Sequence, residues 1–346
     1  MLTPILNELP QSIYDTLLTW KEGPHRARRL NRYLFEDQIE DFANMPELRR
    51  DLRKRLAETY SLPTLELAEH QVSCDGTEKF SFRLQDGATI ETVLIPNVGK
   101  KEGQRALCVS TQAGCAVGCL FCHTGLSGLK RNLKAWEILE QIRSIRRRID
   151  RPLTHIVFMG MGEPLHNYKN LFSSIHWLTA NPGLRFSKMR ITVSTSGLLP
   201  EIQNLLTETE VRLAISLNAT TEKTRLEIMP VTKKYSLQEL LDYCRKLSLP
   251  RADRITFEYV LLAGVNDTSD DAKRLVSLLH GIRSKINLLA FNEFPGSPYR
   301  RPSDDVVEQF RSSVQRKGLQ VNVRRSRGRS VLAACGQLRS QMQSVI

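Results

Sequence analysis

At 346 residues, 41% hydrophobic and 25% charged, the chain has room for one large domain plus a smaller one and enough apolar material for a sizeable core. Its 50 Lys and Arg against 37 Asp and Glu leave a formal +13, which suits RNA or DNA, because phosphate neutralisation supplies most nonspecific nucleic-acid affinity. No apolar run approaches the ~18 residues of a membrane span, and no basic segment leads into an unbroken apolar one, so the expectation is a cytoplasmic protein without a membrane segment.

From Leu2 to about Leu65 apolar residues recur at helical spacing, as in Ile13, Leu17, Leu18 and Leu30, Leu34, with breaks at Gly23-Pro24 and Met45-Pro46. The pattern predicts a helical accessory domain over 1–66, whose Arg26, Arg28, Arg29 and Arg32 suit structured RNA. Alternation at Phe80, Phe82, Leu84 and then Ile90, Val93, Ile95 around Asp86-Gly87 predicts a β-hairpin, with Pro96 to Gln104 as an exposed connection; together these make a segment over 67–104. Over 105–300, strands at Ala106–Val109, Ile156–Met159, Ile191–Ser194, Leu213–Leu217, Ile255–Leu261 and Ile286–Phe291 alternate with amphipathic helices. One helix carries Ile138, Leu139, Ile142 and Ile145 on one face beside a second basic cluster, Arg143 with Arg146, Arg147 and Arg148; another opens with the capping box Ser236-Leu-Gln-Glu239. Six such units define an α/β fold with a parallel sheet, which right-handed crossovers would curl into a partial barrel; an open doubly wound sheet is the competing arrangement. Over 301–346, a helix capped by Ser303 and a strand Val321–Val323 lead to a basic tail with Arg324, Arg325, Arg327, Arg329 and Cys335.

Ligand sites in such folds lie at the carboxyl ends of the strands, and the chemically unusual residues fall there. Cys115 follows the first strand and Gly160 to Glu163 the second. Ser194 ends the third, Ser216-Leu217-Asn218 the fourth, and Asn292 follows the sixth. Gly160-Met-Gly-Glu163 fails as a dinucleotide fingerprint, since Leu165 occupies the third glycine position.

The most informative stretch is Cys115-Ala-Val-Gly-Cys119-Leu-Phe-Cys122. In a reducing compartment the 7 cysteines are ligands or reactive thiols rather than a disulfide framework. Three thiolates can hold a cubane iron-sulfur cluster with one iron left open, whereas a structural zinc would want a fourth ligand, for which His123 or Cys108 is the candidate. Cys244 shares a helical face with Leu237, Leu240 and Leu241 and reads as core; Cys74 has no evident partner.

This spacing resembles the radical SAM signature, in which Cys115, Cys119 and Cys122 would bind a 4Fe-4S cluster and S-adenosylmethionine (SAM) would chelate the fourth iron. Glu91-Thr-Val-Leu-Ile-Pro96, Cys108-Val-Ser-Thr-Gln, Phe158-Met-Gly-Met-Gly-Glu-Pro164, Val193-Ser-Thr-Ser-Gly197 and Ala333-Ala-Cys335-Gly-Gln-Leu338, in this order, resemble the RlmN/Cfr family of RNA adenosine methyltransferases. The resemblance implies the six-unit partial barrel and SAM contacts at Gly162, Glu163, Ser194, Ser216, Leu217, Asn218 and Asn292. It also implies two SAM molecules per turnover. Asn218 stands where a histidine is expected, and Arg327-Gly-Arg329-Ser330 lacks the acidic residues of relatives.

By the same resemblance, Cys335 is methylated by displacement, a radical generated from a second SAM activates that methyl group, and the carbon adds to adenine. Glu91 then takes the ring proton, and Cys108 resolves the bridge through a transient Cys108–Cys335 disulfide. The expected product is 2-methyladenosine in 23S rRNA, with tRNA as a second candidate substrate. A flavodoxin or ferredoxin is the expected reductant, and the chain is expected to be a monomer. The alternatives are a Cfr-type C8 methyltransferase and a noncatalytic Fe-S RNA-binding protein.

Overall fold

The computed structural model describes residues 2–96, 98, 103–180, 184–249 and 253–339. Three helices come first, α1 (Pro10–Thr19), α2 (Pro24–Phe35) and α3 (Arg50–Thr59). Pro10 and Pro24 both sit in the first helical turn, where the missing N–H costs nothing. Three strands follow, β1 (Glu66–Val72), β2 (Glu78–Arg83) and β3 (Thr89–Pro96). The turn at Asp86-Gly87 is closed by Leu84 N–H donating to Ala88 O at 2.8 Å, with Gly87 at φ +80. The expected hairpin is thus the β2–β3 pair, and β1 is an added edge strand that the alternation did not reveal. Its mixed pattern, mostly exposed and interrupted by a bulge between Leu67 and Glu69, explains the miss. Much of the expected Pro96–Gln104 connection lies outside the described residues.

The main domain then runs β4 (Arg105–Cys108), β5 (Gln112–Gly114), α4 (His123–Leu126), β6 (Leu129–Asn132), α5 (Ala135–Arg146), β7 (His155–Phe158), α6 (Tyr168–Thr179), β8 (Ile191–Thr195), α7 (Leu199–Thr209), β9 (Arg212–Ser216), α8 (Glu222–Ile228), α9 (Leu237–Lys246), β10 (Ile255–Leu261), α10 (Ser269–Leu279) and β11 (Ser284–Ala290). α11 (Asp304–Gln315) and β12 (Val321–Val323) complete it. The Ser236 capping box and the Ser303 cap form as expected, Ser303 Oγ accepting from Val306 N–H.

One ten-stranded sheet runs in the order β12-β11-β10-β9-β8-β7-β4-β3-β2-β1. β4 to β12 pair in parallel, with crossover helices between successive strands, and β3, β2 and β1 continue the same sheet antiparallel. β5 and β6 form a separate small ladder. A single cavity is walled by residues after or within β7, β8, β9, β10 and β11, which a flat sheet with strands ~4.8 Å apart could not do, so the parallel part curls.

The N-terminal helices do not stand apart. One continuous core runs from Ile5 to Leu338. α5, expected to be amphipathic, is buried from Ala135 to Ile145 because the sheet covers one side and the N-terminal segment the other. Arg143 is therefore structural: its guanidinium is 1% exposed, pairs with Glu140 at 2.7 Å and donates to the carbonyls of Leu34 and Ile39. Trp177 Nε1 donates to Glu8 O at 2.7 Å in the same seam.

Candidate active site

β5 and β6 are the base of the cysteine loop. Gly114, at φ +80, lets the two strands close, since a Cβ there would lie 1.9 Å from the Gly128 carbonyl oxygen. Cys115 N–H donates to that same oxygen at 3.0 Å, fixing the first thiol. Gly125 allows α4 to lie on the backbone of Cys119, where a Cβ would come within 2.7 Å of the carbonyl oxygen. Cys115, Cys119 and Cys122 all open onto one cavity. Burial pushes their thiols up, Cys115 to about 12, so a metal that takes them as thiolates must displace their protons.

Neither candidate for a fourth zinc ligand lines the cavity of the three loop thiols. The His123 ring stacks flat on Phe294, with centroids 4.8 Å apart and planes within 2°, and Cys108 opens onto a different cavity. Among the described residues no three His, Cys, Asp or Glu side chains converge as ligands of one ion. A cubane asks for a different arrangement, one thiolate on each of three irons.

Across this cavity stand the strand ends. Ser110-Thr111-Gln112, just after Cys108, grips the turn after β7. Ser110 Oγ receives Met161 N–H at 2.9 Å, and Gln112 Oε1 receives Glu163 N–H at 2.8 Å. Gly162, at φ +101, is required there, because a Cβ would fall 2.5 Å from Gln112 Cβ. The Glu163 carboxylate is buried and accepts from Leu165 N–H and from both Ser196 N–H and Oγ–H; burial raises its pKa against these bonds. Ser194, Ser216 and Asn218 join Gly162 and Glu163 on the cavity wall.

Two expected contacts fall elsewhere. Leu217 is fully buried and outside the wall, its N–H donating to Glu258 O and its carbonyl accepting from Ala219 N–H. Asn292 lines the adjoining cavity, where its Nδ2 donates to Cys335 O at 3.1 Å and its Oδ1 is a buried acceptor without a partner among the described residues. Asn218 adopts φ +58 and uses its side chain internally, Oδ1 accepting from Val260 N–H at 2.9 Å.

Sequence reasoning missed Arg225. This buried guanidinium donates to Ser196 O at 2.8 Å and to Leu217 O at 3.3 Å, tying the ends of β8 and β9 together; burial lowers its pKa to about 10. The only sequence signal was a charge at an inward position of α8, indistinguishable from a solvated one.

Cys335 forms part of the wall between two cavities. The first holds the three loop thiols; the second holds Cys108, Arg324, Arg325 and Arg327 and shares Cys122 with the first. The Cys108 thiol is raised well above its ordinary range, by burial first and then by the neighbouring Cys335. Glu91 opens onto neither. Its carboxylate pairs with Lys79 at 3.1 Å and accepts from Arg339 N–H at 2.8 Å, beside a third, polar cavity. Of the three basic clusters, only that of the tail reaches the site; Arg29 and Arg32 are ion-paired to Glu47, and Arg143 is core.

A curled parallel sheet with a three-cysteine loop above its first strand defines a radical SAM protein, and the Radical SAM superfamily profile matches residues 109–278. The chain belongs to the RlmN family within that superfamily. It is 46% identical over 348 residues to "Dual-specificity RNA methyltransferase RlmN" of Anaeromyxobacter dehalogenans, covering 98% of this chain and 92% of the relative. It is 47% identical over 321 residues to the protein of the same name from Geobacter sulfurreducens, covering 93% and 88%. The crystal structure of a radical SAM methyltransferase from Sphaerobacter thermophilus superposes with a TM-score of 0.90 at 38% identity, covering 97% of this chain and 99% of the other. A 4Fe-4S cluster and SAM are the cofactors of this family. Among the described residues no helix is long and apolar enough to cross a membrane.

Proposed function

We propose that the chain methylates C2 of adenosine in 23S rRNA and in tRNA, carrying the methyl group on Cys335. The observation that carries this reading is the position of Cys335 between the two cavities, one bearing the loop thiols and the other the tail arginines. Cys115, Cys119 and Cys122 would hold the cluster. Gly162, Glu163, Ser194, Ser216 and Asn218 would receive SAM, with Asn292 offering its Oδ1 and Leu217 supporting the wall from behind. Once bound, cluster and SAM supply one-electron chemistry that can functionalise an unreactive methyl group.

The chain's own residues do the rest. Cys335 sulfur takes the methyl by displacement and later presents its carbon to the base, which Arg324 and Arg325 help hold by its phosphates. Cys108 then attacks Cys335 sulfur, releasing the product and leaving a disulfide that a reductant reopens. Glu91 is our candidate for the group that takes the ring proton. Its bond to Arg339 N–H must break for it to do so. A flavodoxin- or ferredoxin-type donor would serve such a monomer.

The test is to treat 23S rRNA fragments and tRNA with reduced holoprotein and SAM, then digest and identify nucleosides by mass spectrometry. The expected product is 2-methyladenosine, lost in Cys335→Ala. 8-Methyladenosine would instead indicate the Cfr-type reaction, and absence of SAM cleavage a noncatalytic protein.

A further inference from the structure

A carboxylate outside all the family-like strings, Glu258, stands in the middle of β10 and lines both cavities together with Cys335. Its Oε1 accepts from Asn287 Nδ2 at 2.8 Å, Asn287 being its registered neighbour on β11. Among the described residues no Lys or Arg forms an ion pair with it. A carboxylate in such a wall is disfavoured unless paired, so its presence calls for a reason beyond strand pairing, which an uncharged amide would serve as well.

We propose that Glu258 is the proton acceptor for the Cys335 thiol when that thiol takes its methyl group. This rests on the carrier role of Cys335. The step balances: the S–H bond breaks and its proton goes to the Glu258 carboxylate. The sulfur lone pair forms the new S–CH3 bond, and the donor's sulfonium–carbon bond breaks to leave the neutral thioether. The proton then leaves through the second cavity to solvent, so no oxidant or reductant is needed.

The surroundings suit this role. Burial raises the Glu258 carboxyl above its ordinary value, which makes it a stronger base, while Arg324 and Lys285 restrain the rise. Cys335 is an exposed residue whose sulfur sits in the cavity wall; desolvation of that sulfur raises the thiol, the charge of Glu258 raises it further, and Arg324 opposes. The groups acting on Glu258 are Lys285 and Asn287 on β11 and Arg324 beyond β12, and Cys335 of the tail and Cys122 of the loop line the same cavity.

The test uses anaerobic holoprotein with SAM but no reductant and no RNA, following the mass gain of one methylene on the Cys335 peptide in a single turnover. Glu258→Gln should slow the rate at saturating SAM by about a hundredfold or more, the ordinary contribution of a positioned base, with SAM affinity unchanged. Its rate should keep climbing with pH where the wild type levels off, and Glu258→Asp should recover part of the loss. Thermal melting of both variants controls for folding, and the Asp variant carries the test if the Gln variant is unstable. Methylation of either folded variant at the wild-type saturating rate, or a loss confined to SAM affinity, would overturn the role. Wild-type protein that never methylates Cys335 would instead bring down the carrier reading, and this role with it.

Discussion

The Arg143 guanidinium donates to the carbonyl of Leu34 at 2.8 Å, from a helix of the main domain to one of the N-terminal segment. The segment is thereby part of the main fold, sharing its core through Ile5, Leu6 and Trp177. Removing residues before Leu67 should expose α5 and α6 and yield aggregated protein. Arg143→Ala, which leaves Glu140 to Arg147 alone and the carbonyls of Leu34 and Ile39 without their donor, should cost about 1–3 kcal/mol, read from chemical denaturation.

RNA affinity should depend on the tail more than on α2. Alanine at Arg324 or Arg325 should reduce the slope of log affinity against log salt by roughly one for each phosphate no longer engaged. Alanine at Arg29 or Arg32, already engaged by Glu47, should change it less. Filter binding across a salt series distinguishes the two.

Cys108→Ala should stall the reaction with RNA bonded through carbon to Cys335. Denaturing gels should show an adduct that nuclease shortens, absent from Cys335→Ala. Both thiols line the second cavity, so removing one leaves the other in place.

Gly162→Ala must move Gln112, because the added Cβ would sit 2.5 Å from Gln112 Cβ at a φ of +101. The bond from Glu163 N–H to Gln112 Oε1 would loosen with it. The expected cost is about 1–3 kcal/mol in stability, with SAM affinity falling in calorimetric titration.

Glu163 makes stability depend on pH. Its folded pKa is raised above 4.5, mainly by burial, so between those two values the folded state binds more protons than the unfolded one. Its contribution is fully present below 4.5 and is lost as pH rises through the folded value. Glu163→Gln should flatten that part of the curve, measured by urea unfolding at a series of pH values.

The parallel strands could be read from the chain within a residue or two because buried strands there are short apolar runs bounded by polar turns, as at Ile191–Thr195 and Ile255–Leu261. β1 could not, since an edge strand buries little. The strand-end rule located Ser194, Ser216 and Glu163, whose backbone position decides their access to the cavity. It overreached at Leu217, whose side chain turns into the core. Glu258 stayed hidden because a single carboxylate in an apolar strand reads as an outward residue until the sheet curls. Arginine clusters alone do not distinguish a buried seam from an exposed groove, so Arg143 and Arg324 looked alike.

The tail is fastened at its cysteine and over the three residues after it. Asn292 holds the Cys335 carbonyl, His123 N–H the Gly336 carbonyl at 2.7 Å and Thr124 Oγ the Leu338 carbonyl at 2.6 Å, while Gln337 Nε2 donates to Glu293 O. A sulfur mounted this way moves by turning about its own Cα–Cβ bond among staggered positions, without displacing the backbone. If Cys335 carries the methyl group as proposed, its passage from one chamber to the other is a rotamer change, a single crank stroke set by the bolts around it.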